Sequence, residues 1–241
     1  MWKAEELLDF KTLKDYKKSE YGVFLGCGSS INDITQKQWD LIDTCDVWVS
    51  NNFLYHWYIP DFYHVELKSG KPKWLDLWKR RKADKGDTYD DVKFIVNRDH
   101  CGHILPQIGD HPMVFGYPRK VWKSNHQCKR NMNYGNHSNN ASFTLVIDLI
   151  SRMGYKKTIL YGVDLNNAMY FWTGKRRFGE THCDTNKNLP KKAQHTTAGR
   201  VPHFIQKVRK DWFKNTLYLG YEKSLLSYYG IPVINIEREL G

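Results

Sequence analysis

The sequence predicts an α/β fold: a single Rossmann-like domain with a mainly parallel sheet, helices on both faces and a partly ordered lid. Three observations predict it. Short apolar runs of strand length recur along the chain and end at Gly, Asn or Asp. One segment carries a helical apolar stripe between two such runs, the alternation that a parallel sheet requires. The 241 residues, 41% of them hydrophobic, suffice for one substantial core, and no Pro/Gly/Ser-rich linker divides them.

Taken in order, residues 1–20 read as a helical or loose N-terminal extension, and the domain as 21–241. GVFLG (22–26) is a buried strand running into Gly26-Cys27-Gly28-Ser29-Ser30, with Asn32 and Asp33 placed to cap a following helix. CDVWVS (45–50) is a second strand, followed directly by Asn51 and Asn52. FYHVELK (62–68) alternates as a strand does, and VKFIV (92–96) and PMVFG (112–116) have strand length and apolar content. After Asn139-Asn140-Ala141-Ser142, the residues Phe143, Val146, Ile147, Ile150 and Met153 fall on one face of a helix that Gly154 ends. TILYGVD (158–164) is the next buried strand. Residues 166–200 are polar, basic and without periodicity, the profile of a lid. A helix over about 211–229 and a last strand, IPVINIE (231–237), complete the alternation.

Composition narrows the function classes. No apolar stretch is long enough for a membrane-spanning helix, and the charged start lacks the apolar core of a signal peptide, so a cytoplasmic protein is expected. The five cysteines are scattered without a C-x-x-C pair, which speaks against a structural zinc site. The net charge of +11 is more informative. Lysines and arginines cluster at 71–86, 173–180, 190–200 and 206–214, interleaved with aromatic residues. That pattern suits an anionic partner, whether DNA, a charged glycan or a nucleotide-bearing substrate. A solvated basic surface is the plainer alternative. A homo-oligomer is compatible with everything above.

In a doubly wound sheet the ligand sits beyond the carboxyl ends of the strands. Those ends carry the glycine turn, Asn51-Asn52 and Asp164. A dinucleotide site would need a third glycine, where Ile31 stands, and an acidic residue after the second strand, where Asn51 stands. The first motif of S-adenosylmethionine methyltransferases resembles LGCGSS but also wants that acidic residue to hold a ribose diol. Neutral amides suit a pyrimidine edge or a ribose oxygen instead.

Three segments together resemble the bacterial sialyltransferases of glycosyltransferase family 42 and the wider sialyltransferase-like group. GCGSSINDI is similar to that family's glycine-rich opening, with Ser29 where proline is usual. VSNNF (49–53) is similar to its Cys-Asn-Gln-Phe segment, and NASFTLVIDLISRMGYKKTILYGVDLNN (140–167) to its helix–strand unit. The resemblance implies a metal-independent, inverting glycosyltransferase with no cofactor beyond a nucleotide-sugar donor, CMP- or UDP-linked. It implies that Gly26, Cys27, Gly28 and Ser29 lie along the nucleotide, with Asn51 and Asn52 bonded to nucleotide or sugar. Asn140 and Ser142 would approach the donor, and Asp164 would contact base or ribose or else cap its loop. Tyr170 would meet the leaving phosphate, and Arg176, with Lys175 and Arg177, would clamp it. His203 and His195 are the candidates for the base that deprotonates the acceptor hydroxyl. Asn139-Asn140-Ala141 replaces the family's Arg/Thr pair, which leaves the donor sugar open. The acceptor is a glycan or the modified bases of viral DNA. The rival classes are a methyltransferase or pterin pyrophosphokinase-like transferase, and a non-catalytic nucleic-acid-binding protein.

Overall fold

A computed structural model describes residues 7–65, 72–97, 108, 111, 113–117, 119–120, 136–137, 142–165, 170–171 and 201–241. The fold class is α/β, as the sequence predicts. Eight parallel strands form one sheet: β1 (Leu8–Asp9), β2 (Tyr21–Leu25), β3 (Asp46–Ser50), β4 (Phe62–Val65), β5 (Lys93–Asn97), β6 (Val114–Tyr117), β9 (Lys157–Tyr161) and β10 (Leu217–Leu219). Their order is β1-β6-β5-β4-β3-β2-β9-β10. Two further short strands, β7 (Arg119–Lys120) and β8 (Asn136–His137), pair with each other. The helices are α1 (Gln36–Ile42), α2 (Pro72–Lys85), α3 (Ser142–Met153), α4 (Val201–Asp211), α5 (Leu225–Tyr228) and α6 (Ile236–Leu240).

The chain forms two compact units. One comprises Met1–Lys17, Trp48–Leu54 and Tyr58–Met153, and the other Lys18–Val47, Tyr55–Trp57 and Gly154–Gly241.

The first unit is an aromatic core. Trp48 stacks on Phe62 with centroids 4.4 Å apart, and Trp78 of α2 meets Phe94 edge-on at 4.8 Å. The N-terminal residues belong to this core. Phe10 and Leu13, in a 3-10 turn over Phe10–Tyr16, are fully buried, and Tyr16 packs edge-on against Phe115. The N-terminal extension, expected to be helical or loose, is therefore packed structure that includes a 3-10 helix where it is described. Helix α2, which the sequence reading treated only as a basic cluster, begins at Pro72 and buries Leu77, Trp78 and Arg81 on one face. Gly86, with φ of +55°, follows its end.

Helix α3 departs from a single apolar stripe. Leu145, Val146, Ile147, Leu149, Ile150 and Met153 are buried, and so are Thr144, Asp148 and Arg152. A helix enclosed on most sides has to neutralise its charges internally. Here Arg152 donates to both carboxylate oxygens of Asp148 one turn earlier, at 2.9 and 3.0 Å from Nη2. Gly154 ends it with φ of +69°, the left-handed cap expected.

In the second unit β2 and β9 run in register, Gly22 beside Thr158 and Leu25 beside Tyr161, and β10 flanks β9 in the same direction. The C-terminal third corrects the sequence reading twice. The helix expected over 211–229 is three elements: α4 ends at Asp211, β10 follows, and α5 occupies Leu225–Tyr228. Lys214 and Asn215 both adopt left-handed backbone, φ +48° and +69°, so the chain reverses where a continuous helix would pass. Arg209 ties the reversal down by donating to the carbonyls of Asn215 and Leu217 and to Asn215 Oδ1. The expected last strand reduces to one bridge between Leu219 and Val233. Asn235 then caps α6, accepting from the N–H groups of Glu237 and Arg238.

Candidate functional site

In the second unit the parallel strands β2, β9 and β10 present their carboxyl ends on the same edge. Directly beyond them lie Gly26–Ser30, Gly162–Leu165 and Gly220–Tyr221. The glycine turn continues the β2–β9 ladder past the strand ends. The N–H of Gly26 donates to Tyr161 O at 2.7 Å and that of Gly28 to Gly162 O at 2.8 Å. A Cβ at Gly26 would stand 2.3 Å from Gly162 O, and one at Gly28 would stand 2.6 Å from Asp164 Oδ2. Both glycines are thus required by backbone and carboxylate packed against them, and both of their N–H groups are already engaged.

The turn leads into a 3-10 segment, Ser29–Asp33, and α1 begins only at Gln36. Its cap is Thr35, whose hydroxyl accepts from Gln38 N while the Gln38 side chain accepts from Thr35 N, a capping box. Asn32, expected as a cap, does something else: its Nδ2 donates to Phe171 O at 2.8 Å.

Asp164 is buried and surrounded by donors. Ser30 Oγ donates to Oδ1 at 2.5 Å, and Ser30 N and Ser29 Oγ reach Oδ2 at 3.2 and 3.3 Å. Bonds from neutral donors to an ionised carboxylate are among the stronger ones available. They knit the strand end at 164 to the turn at 29–30. The carbonyl of Asp164 accepts from Leu225 N at 2.9 Å, and Ser224 Oγ donates to Val163 O, which seats the start of α5 on the same strand end. Leu165 follows in left-handed backbone, φ +57°, unusual for a branched apolar residue.

Tyr170 and Phe171 cross back over the turn. Tyr170 makes an antiparallel bridge with Gly28, and Phe171 N donates to Cys27 O at 3.0 Å. Phe171 is fully buried, edge-on to His56, whose ring forms a triangle with Trp39 and Trp57, all three centroids 5.3–5.4 Å apart. Burial pushes the Cys27 thiol up to about 12, so it is protonated at neutral pH and is not a nucleophile. Burial, then Cys27, raises the Tyr170 hydroxyl as well.

Tyr221, which no sequence motif marks, completes this edge. Its hydroxyl is buried. Burial, then the Asp164 carboxylate, raises its pKa, against hydrogen bonding with Ser224 and Ser30 that lowers it, so the hydroxyl lies within reach of all three side chains. It is a neutral phenol throughout the physiological range.

The remaining expected residues lie on other elements. Asn51 and Asn52 open a 3-10 turn, Asn51–Tyr55, at the end of β3. Asn51 is left-handed, φ +48°, a conformation asparagine tolerates. Its carbonyl accepts from the Tyr63 hydroxyl, which in turn accepts from Leu54 N at 2.8 Å. Ser142 is the first residue of α3, and His203 lies in the first turn of α4. Asn140, Lys175, Arg176, Arg177 and His195 lie outside the described residues. The structure therefore brings together Gly26, Cys27, Gly28, Ser29, Asp164 and Tyr170, and adds Ser30 and Tyr221.

No family model, no curated protein and no solved structure matches this chain.

Proposed function

We propose that the protein is a nucleotide-sugar-dependent glycosyltransferase whose donor nucleotide binds at the carboxyl ends of β2, β9 and β10. The observation that carries the reading is the convergence, within one unit, of the Gly26–Ser30 turn, Asp164, Tyr170 and Tyr221 on that edge. Parallel α/β sheets place their ligands there. The resemblance of three segments to the sialyltransferase-like group narrows the ligand from any nucleotide to an activated sugar.

In the proposed reaction the acceptor oxygen bonds to the anomeric carbon as the bond from that carbon to the donor phosphate oxygen breaks, with inversion. The acceptor proton passes to a histidine, with His203 favoured over His195. The electron pair leaves on the nucleotide phosphate. Arg176, and Tyr170 as a neutral phenol donor, would stabilise that charge. The acceptor is polyanionic, nucleic acid or charged glycan. Lys207, Lys210 and Lys214 are exposed on and after α4 and form no ion pair with a described residue. They would meet it.

A thermal-shift panel with CMP, UDP, S-adenosylmethionine and ATP tests the reading. CMP or UDP should raise the melting temperature. Stabilisation by S-adenosylmethionine alone would make the protein a methyltransferase and overturn it.

A further inference from the structure

Tyr228 ends the short helix α5 and is 84% exposed. The helix that carries it is firmly seated. Leu226 is fully buried, Ser224 Oγ donates to Val163 O at 2.7 Å, and Leu225 N donates to Asp164 O at 2.9 Å. Tyr228 therefore offers a large flat ring on a fixed support. It lies three residues past Leu225, about 4.5 Å along the helix from the strand end of the candidate site.

Helix α4 packs beside α5 in the same unit. A Cβ at Gly230, two residues past Tyr228, would lie 3.9 Å from Gln206 Nε2, so the two helices meet there. Lys207 follows Gln206 in sequence, and Lys210 shares a helix face with Lys207 at i+3. The exposed charges between Gln206 and Tyr228 are Lys207, Lys210, Lys214 and Lys223 against Asp211 and Glu222. An exposed ring beside a surplus of lysines is the chemistry of a single-stranded nucleic-acid surface, where bases stack and phosphates are neutralised. A charged glycan fits less well. Its carboxylates or sulfates sit on the sugar ring itself, so stacking would bring an anion against the negative face of the phenol ring. A nucleotide keeps its charge on the phosphate and offers a neutral, flat base.

Resting on the polyanionic acceptor of the reading above, we propose that α4 and α5 bind single-stranded nucleic acid as that acceptor, with Tyr228 stacking on a base and Lys207 and Lys210 meeting phosphates.

Fluorescence anisotropy tests this with a labelled oligothymidylate, an abasic deoxyribose-phosphate chain of equal length, and heparin as the glycan probe. Wild type should bind oligothymidylate more tightly than the abasic chain. Tyr228→Ala should melt as wild type does, because the ring it removes is exposed. It should weaken oligothymidylate about five- to a hundredfold, with the salt slope and the affinity for the abasic chain unchanged. Tyr228→Phe should bind like wild type. The double substitution Lys207→Ala, Lys210→Ala should reduce the slope of log affinity against log salt by about 1.4. Three results would overturn the proposal while leaving the donor site standing. One is no oligothymidylate binding by wild type, and another is unchanged oligothymidylate affinity in Tyr228→Ala. The third is a fall with heparin in that variant at least as large as with oligothymidylate, which would make the partner a glycan. Stabilisation by neither CMP nor UDP would instead sink the donor reading, and with it the acceptor role given to this surface.

Discussion

Two buried phenols near strand ends are used in opposite ways. In the first unit the Tyr63 hydroxyl is fully employed: it donates to Asn51 O and accepts from Leu54 N, holding closed a turn whose first residue is left-handed. In the second unit the Tyr221 hydroxyl is buried beside Asp164, Ser30 and Ser224, polar side chains instead of backbone. The same side chain closes backbone in one place and sits among polar side chains at a strand end in the other.

Several substitutions would break or sharpen that contrast. The largest effect is expected from Gly28→Ala, which drives a methyl into Asp164 and Gly162 O. Neither can yield freely, so a loss of about 3 kcal/mol is expected in urea unfolding. That is a fall of roughly 6–12 °C for a chain of this size. A wild-type-like melt would mean that turn and strand end are not packed as described.

Tyr63→Phe comes next, at about 2 kcal/mol, because it strands the buried Leu54 N–H together with a carbonyl. Tyr221→Phe, by contrast, should cost less, because its hydroxyl sits among polar side chains and strands no backbone group. Similar penalties at the two sites would erase the distinction between them.

A smaller effect comes with acid in the first unit. His111 is buried, with Nε2 donating to Val92 O at 2.6 Å and Nδ1 without a hydrogen-bond partner among the described residues. Burial holds its pKa below the usual value, opposed next by the hydrogen bond to Val92 O; Lys82 lowers it further, Asp90 opposes, and Lys93 adds the smallest lowering. Below about pH 6.5 the unfolded chain therefore takes up a proton that the folded one refuses, and stability falls as pH drops through that window. Unfolding measured from pH 7 to 5 should show the decline, and His111→Gln should remove most of it.

How much of this was legible in the sequence depended on whether the determining contact was local. Strand runs at 22–26, 45–50, 92–96 and 158–164, and a helix ending at Gly154, are read from periodicity and glycine placement, and the strands form within one to three residues of those positions. Thr35 was passed over as a cap because Asn32 stands nearer the strand, yet Asn32 is drawn to Phe171, 139 residues away. Helix α2 was hidden by its own lysines and arginines, since Arg81 is buried on Leu54 O and not solvated. The helix expected over 211–229 failed at Lys214-Asn215, whose left-handed turn is held by Arg209 and not by a glycine. In the site, Gly26, Gly28, Ser29 and Asp164 were legible because strand ends are. Tyr221 was not: one tyrosine among fifteen becomes informative only when its buried hydroxyl is found beside Asp164 and Ser30.

The most direct test of the nucleotide site is a calorimetric titration of CMP and UDP into the wild-type protein. Saturable binding of at least one, at micromolar to low-millimolar affinity, is the expected result. No heat from either, alongside clear binding of S-adenosylmethionine, would contradict it.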